Sequence, residues 1–392
     1  MKILCLGEMM PIGSCAYRIR HTEAKKMAQR GHGVTLVTPH HKRRLFPATA
    51  AIEGRLQVFY SPGWTSVRLR RGGFSLLDML YKLWTVLKLD FDVLHVTCGH
   101  RPAQLIPALA ARFLKRRPIV DEWWEWYGSG GRAELSTGIL GRLIGMYDCL
   151  LELPMKSVYS VVIAISSKLK DRLKENRHVY VLHGGVEVDH LRPGEKGAAR
   201  QQLGISEDLF LIGLISVGRA EHNDVLPFLL AFRQLALSEP RLQLFVTGEE
   251  SYIREEFLER QGGTQVIYQG WLDLEQYNLY LRACDVFVLP LSNVPRNLGR
   301  WPHKIGDFLY FERPIITNPV GDFIELFSGK RIGFLCENKP YAYCELITRL
   351  LRRRQTLSLA CSDSWATAQE LSSDKRLDSL LAIYREVCTK GA

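Results

Sequence analysis

Short apolar runs alternate with longer amphipathic stretches along the chain. Lys2–Leu6 reads as a strand and leads through a loop into a helical stretch that ends at Gly31. Val34–Thr38, Val93–Val96, Pro118–Val120 and Ser160–Ile165 read as the strands that follow. Strand and helix alternating at this spacing is the pattern of a parallel, doubly wound sheet. The pattern then starts again with Leu209–Val217, Leu242–Thr247, Val266–Tyr268, Val286–Leu289 and Pro314–Thr317. The sequence therefore predicts an α/β protein with two Rossmann-like domains built on parallel sheets.

Between the two series, His183–Lys196 is rich in glycine and charge and contains Leu191-Arg192-Pro193-Gly194, the composition of an interdomain connection. This places a hinge near residue 190. The expected division is 1–190, 191–370 and a closing segment 371–392. In that tail Leu377, Leu380, Leu381 and Tyr384 recur at helical spacing. The length of 392 residues, about twice that of a common single domain, agrees with two cores.

Composition narrows the partners. Hydrophobic residues make up 46% and charged residues 24%, ordinary for a chain that folds throughout. The net charge of +11 calls for something anionic: nucleotide phosphates, acidic lipid headgroups or nucleic acid. Basic clusters lie at Lys42, Arg43 and Arg44, at Arg68, Arg70 and Arg71, and at Arg112, Lys115, Arg116 and Arg117. Neither a basic helix-turn-helix nor an aromatic RNA-binding strand accompanies them, so nucleic acid is not expected. The nine cysteines are scattered without a Cys-x-x-Cys pair, which points away from a disulfide framework or zinc site and toward a reducing compartment. The start reads as too short for a signal peptide, and no apolar run reaches about 18 residues, so a cytoplasmic chain is expected.

In open parallel sheets ligands bind at the carboxyl ends of the strands, where loops meet helix N-termini. Three such loops stand out. The first is Gly7–Ser14, where Gly13 permits close backbone approach and Ser14 either caps the next helix or meets a phosphate; a plain strand-to-helix turn fits the same residues. No G-x-G-x-x-G occurs here, which counts against a nicotinamide-dependent dehydrogenase. The second follows Ser216-Val217 with Gly218 and Arg219, an arginine suited to bridging a diphosphate. The third and most informative is Asn297-Leu298-Gly299-Arg300-Trp301-Pro302-His303-Lys304-Ile305-Gly306-Asp307. Pro302 is expected to open a helix, Lys304 to sit in its first turn where a bound anion offsets its charge, and Asp307 to face the same way and hold ribose hydroxyls. The alternative is a surface helix with a Lys304 to Asp307 ion pair. Neither an Asp-x-Asp after a strand nor a His/Cys cluster suggests a catalytic metal.

In order along the chain, Arg30-Gly31-His32-Gly33-Val34-Thr35, His183-Gly184-Gly185-Val186, Val217-Gly218-Arg219, Gln269-Gly270-Trp271-Leu272 and Ala283–Pro290 resemble glycosyltransferase family 4, retaining enzymes of the GT-B type. The resemblance implies two Rossmann-like domains with a cleft between them and a C-terminal helix closing back toward the N-terminal domain. It implies a nucleotide-sugar co-substrate, UDP- or GDP-linked, and no other cofactor. Arg219, Lys304 and the Gly299 loop would hold the diphosphate, Gly270 and Trp271 the base, and Asp307 the ribose; Gly13, Ser14, Gly218, Asn297 and Arg300 complete the donor set. The acceptor, a sugar, lipid-linked sugar or small molecule, would belong to the N-terminal domain, and transfer would proceed by front-face attack with retention.

The sequence departs from the family pattern in three places. The paired glutamates with seven residues between them fall on Gly299 and Asp307, the lysine after the arginine falls near Asn223, and the usual histidine falls near Asp121. Lys304 is then the replacement cation. Asp121, Glu122 and Glu125 beside Trp123, Trp124 and Trp126 either stabilise charge at the reacting sugar, with Asp121 and Glu122 catalytic, or belong to packing. A catalytically degenerate nucleotide-sugar-binding protein is the alternative function. Leu76–Leu89 carries Leu76, Leu80, Leu83, Trp84 and Leu87 on one helical face, either for peripheral contact with an anionic membrane or for packing on its own sheet.

Overall fold

The computed structural model describes residues 1–8, 15–40, 42–173, 178–192, 194–218, 222–249 and 265–390, with the side chains of 15–19, 50 and 222 left aside. The chain divides into two compact units. One comprises Met1–Gly185, Leu298–Trp301 and Ser373–Ala392, the other Val186–Asn297 and Pro302–Ser372.

The first unit is built on eight strands: β1 (Lys2–Leu6), β2 (Gly33–Pro39), β3 (Ala48–Glu53), β4 (Leu56–Ser61), β5 (Val93–Thr97), β6 (Ile119–Trp123), β7 (Val161–Ala164) and β8 (Val179–Val181). Their order is β3-β4-β2-β1-β5-β6-β7-β8, and every pair is parallel except the edge hairpin β3–β4. That hairpin turns at Gly54, whose φ of 58° suits glycine. The core joins Ile3, Val34, Leu36, Val58, Val93, Val120 and Ile163 to Ala24 and Met27 of the helix Cys15–Gln29. It also contains Leu377, Leu380, Leu381, Ile383, Tyr384 and Val387 of the helix Ser373–Lys390. The chain's last helix therefore closes the core of its first domain, each buried leucine contributing roughly 1.5–3 kcal/mol.

The second unit holds β9 (Phe210–Val217), β10 (Leu242–Gly248), β11 (Val266–Tyr268), β12 (Val286–Leu289), β13 (Ile315–Thr317) and β14 (Gly333–Leu335). They are parallel throughout, in the order β11-β10-β9-β12-β13-β14. Phe210, Ile212, Leu214, Val286, Val288 and Ile316 pack there against Val225, Phe228 and Phe232 of the helix His222–Ala236 and Leu346, Ile347 and Leu350 of the helix Pro340–Arg352.

The carboxyl edge of this sheet is tightly shaped. Ser216 has φ 54°, and Gly248, at the end of β10, has φ 142° beside a register shift between Val246 and Gly248. A Cβ at position 248 would collide with the backbone of Val217. Gly248→Ala is therefore expected to lower the unfolding free energy by about 3 kcal/mol, combining backbone strain with a main-chain clash. Urea denaturation followed by circular dichroism checks this; a midpoint unchanged from wild type would contradict it.

Candidate functional site

The carboxyl end of β9 gathers the donor-side residues of the second unit. Lys304 opens the helix Lys304–Tyr310, and its Nζ donates to the carbonyl of Ile215 at 2.7 Å and to that of Ser216 at 3.4 Å. The charge that is unfavourable at a helix start is thus anchored by strand-end carbonyls, and the lysine spans from one loop to the next. Pro302 does not begin the helix, as the sequence suggested: it lies two residues ahead, where its carbonyl accepts from Ile305 N at 3.1 Å in a tight turn. Gly218 follows β9 directly. Arg219, Gly13 and Ser14 lie outside the described residues.

Three residues from Lys304, Asp307 is buried and accepts a hydrogen bond from the Tyr277 hydroxyl at 2.6 Å, with His190 Nε2 3.5 Å from its other oxygen. It does not pair with Lys304, whose ammonium is committed to Ile215 and Ser216. Asn297 is buried, and its amide donates to Asp224 Oδ1 at 2.9 Å and to the Ser292 carbonyl at 2.9 Å. Asp224, in the first turn of its helix, also accepts from Ser292 N and Arg296. Asn297 therefore fixes the loop after β12. Gly270 accepts from Gly248 N at 3.3 Å, and Trp271 beside it is 74% exposed. Gly299 and Arg300 belong by their contacts to the first unit: a Cβ at 299 would press on Leu169 and Trp126, and neighbouring Trp301 stacks on His183 at 4.1 Å.

In the first unit Asp121 and Glu122 are both buried on β6, and each is fully engaged. Asp121 accepts from Gly99 N at 2.8 Å and pairs with buried Lys156. Glu122 pairs with Arg20 and Arg376 and accepts from His95 Nε2 at 2.9 Å. Glu23 bonds the same two arginines, which makes a charge-compensated knot tying the helices Cys15–Gln29 and Ser373–Lys390 to the sheet. Burial pushes the Glu122 carboxyl up, but Arg20, then Arg376 and His95, hold it well below the usual carboxylate range. Burial also lowers His95. Glu125 pairs with Arg132 at the surface, and Trp123 donates to Glu152 at 3.0 Å.

Sequence reasoning passed over the group after β5. Cys98 has φ 57°, and His100 is fully buried with Nε2 3.0 Å from Asp148, which Arg101 also pairs at 2.7 Å. Among the described residues His100 Nδ1 has no hydrogen-bond partner. Burial pushes Asp148 up to about 7 against the pull of Arg101, and it lowers His100 well below its ordinary value. Burial likewise raises Glu8 at the end of β1. The signal available was a histidine just past a strand end, in Thr97-Cys98-Gly99-His100.

Residues 21–190 match the family described as Glycosyltransferase Family 4, and residues 212–353 match Glycosyl transferases group 1. The two halves of the chain thus each resemble a glycosyltransferase family. The D-inositol 3-phosphate glycosyltransferase of Geodermatophilus obscurus is 30% identical to this chain over 224 residues, 53% of this chain and 47% of that protein. The match thus spans about half the length of the curated relative. Among solved structures, the sucrose-phosphate synthase of Thermosynechococcus elongatus superposes with a TM-score of 0.79 at 15% identity, covering 100% of both chains. Anabaena HepE in complex with UDP gives 0.69 at 17% identity, over 98% of this chain and 100% of that one. The starch synthase IV catalytic domain of Arabidopsis thaliana, bound to ADP and acarbose, gives 0.68 at 13%, over 99% of each. At these identities the likeness establishes the GT-B fold and no more.

Proposed function

We propose that this chain transfers a sugar from a nucleotide-diphosphate sugar to an acceptor hydroxyl with retention of anomeric configuration. The observation that carries this reading is the Lys304 ammonium held at the carboxyl end of β9, on carbonyls two to three residues before Gly218 and three to four before Arg219. A cation fixed there neutralises a leaving diphosphate where negative charge grows in the transition state, so the chain's own Lys304 and Arg219 take the role a divalent ion would otherwise fill. The base stacks on exposed Trp271 beside Gly270, and Asp307, held by Tyr277, accepts from the ribose. Gly13, Ser14 and Arg300 remain donor-side candidates. The UDP and ADP complexes named among the structural neighbours support a nucleotide diphosphate of this kind. No resident cofactor is part of the reading.

Asp121 and Glu122 enter as positioning residues. Their ion pairs spend both carboxylates inside the fold, and they set the end of β6, where the acceptor side of the chemistry is placed. The acceptor is a sugar, a lipid-linked sugar or a small molecule, and peripheral contact with an anionic membrane belongs to the same reading.

The test is a thermal-shift panel of UDP, GDP, ADP and TDP sugars, followed by donor hydrolysis with the sugar that stabilises most. One nucleotide is expected to raise the melting temperature, and hydrolysis of its sugar separates an enzyme from a binder. Stabilisation by NAD and by none of these would overturn the proposal.

A further inference from the structure

The helix Leu76–Lys88 is inside out for a helix packed on a sheet. Leu76, Leu80, Trp84 and Leu87, at helical spacing on one face, are exposed, Leu76 at 59% and Trp84 at 55%. The inward face carries Asp78 and Lys82, both fully buried. Lys82 Nζ donates to Asp78 at 2.9 Å and to the carbonyl of Gly7 at 2.8 Å, and Ser61 donates to Asp78. Burying a charge pair while presenting leucine and tryptophan to solvent inverts the usual amphipathic order.

A second helix repeats the arrangement. In Gly138–Leu151, Ile139, Leu143, Met146 and Leu150 form an exposed stripe, with Ile139 at 83%, while Asp148 is buried on the other side. The two helices are linked: Phe74, just before the first, meets Tyr147 of the second edge-on at 5.0 Å, and the Arg68 guanidinium lies against Gly141. Every exposed charge on the segments 64–88 and 138–151 is positive, namely Arg68, Arg71, Lys88 and Arg142, because Asp78 and Asp148, their sole acids, are buried.

We propose that these two stripes and their arginines form a face that docks on an anionic lipid bilayer, a surface that deepens the reading of a peripheral glycosyltransferase. Apolar side chains with a tryptophan enter the headgroup boundary while cations meet acidic headgroups. Charge complementarity selects lipid over a second copy of the chain, since a two-fold pairing through this face would set arginines against arginines. Neither stripe is needed for donor binding in the second unit.

Co-sedimentation with phosphatidylcholine–phosphatidylglycerol vesicles in equal parts, against pure phosphatidylcholine, tests the face. The wild type is expected to bind the anionic vesicles and to be released by salt. Trp84→Glu combined with Leu143→Glu should reduce binding about a hundredfold, and Arg68→Gln and Arg142→Gln about fivefold each. All of these positions are exposed, and the variants should keep the wild-type melting temperature and nucleotide shift. Absence of binding to any vesicle would overturn the proposal, as would a lipid-free dimer dissociated by the Trp84 and Leu143 substitutions. A protein that binds vesicles but shifts with no nucleotide sugar would strike the donor assignment and leave this face standing.

Discussion

Replacing Lys304 with alanine is expected to cut turnover by about a hundred- to a thousandfold, the scale seen when one preorganised charge donor to a leaving group is removed. The fold should survive, because among the described residues the side chain gives up hydrogen bonds to two strand-end carbonyls, worth about 1 kcal/mol each. The nucleotide-induced rise in melting temperature should shrink with turnover. Lys304→Arg should recover part of the activity but not all, since a planar guanidinium cannot sit on Ile215 and Ser216 in the same geometry. Steady-state rates with the donor identified by the nucleotide panel, beside urea denaturation, separate these effects. Wild-type turnover in Lys304→Ala would remove the cation from the chemistry and with it the donor assignment.

The second large effect concerns stability. Glu122→Gln leaves Arg20 and Arg376 facing a neutral amide in the interior, and the unfolding free energy should fall by roughly 3–5 kcal/mol, as when one partner of a buried ion pair is removed. The pH dependence should change with it. A carboxylate held below its ordinary range stabilises the fold above its unfolded pKa, and that stability is lost as pH falls through the folded value. His95, lowered by burial, acts in the same sense, because below 6.5 the unfolded chain takes up a proton that the folded chain refuses. Asp148 opposes both: with its pKa pushed up to about 7, its contribution declines as pH rises from 3.8 to that value. Wild-type urea midpoints should therefore fall on acidification below neutrality, and Glu122→Gln should show a shallower acid slope. Parallel pH profiles in the two proteins would contradict the role given to the knot.

Periodicity carried the fold because it reports directly which runs are strands and which faces are apolar, and both parallel sheets follow from it. The strands it missed, β3, β4, β8 and β14, are either mixed in polarity in the edge hairpin or only three residues long. It also failed to orient the helix Leu76–Lys88. Spacing tells which side chains share a face, not whether that face turns inward, and here Lys82 and Asp78 took the interior. At the site, Lys304 and Asp307 could be found because a strand, a loop and a helix start are consecutive in sequence. The engagement of Asp121 and Glu122 could not, since Lys156, Arg20 and Arg376 lie 35, 102 and 254 residues away. Two carboxylates beside three tryptophans look like a ligand platform until the distant cations that neutralise them are known.

The helix Ser373–Lys390 sets an order on the birth of the molecule. The sheet of the first unit leaves the ribosome well before Leu377, Leu380, Leu381 and Tyr384, which cover it, and Arg376, which neutralises Glu23 and Glu122. During synthesis the nascent first half carries an uncovered apolar sheet and buried acids with half their counter-charge missing. Its native packing is thus delayed until residues 373–390 have emerged, a window in which a chaperone has something to hold and a premature stop codon near residue 370 leaves a fragment marked for aggregation or degradation.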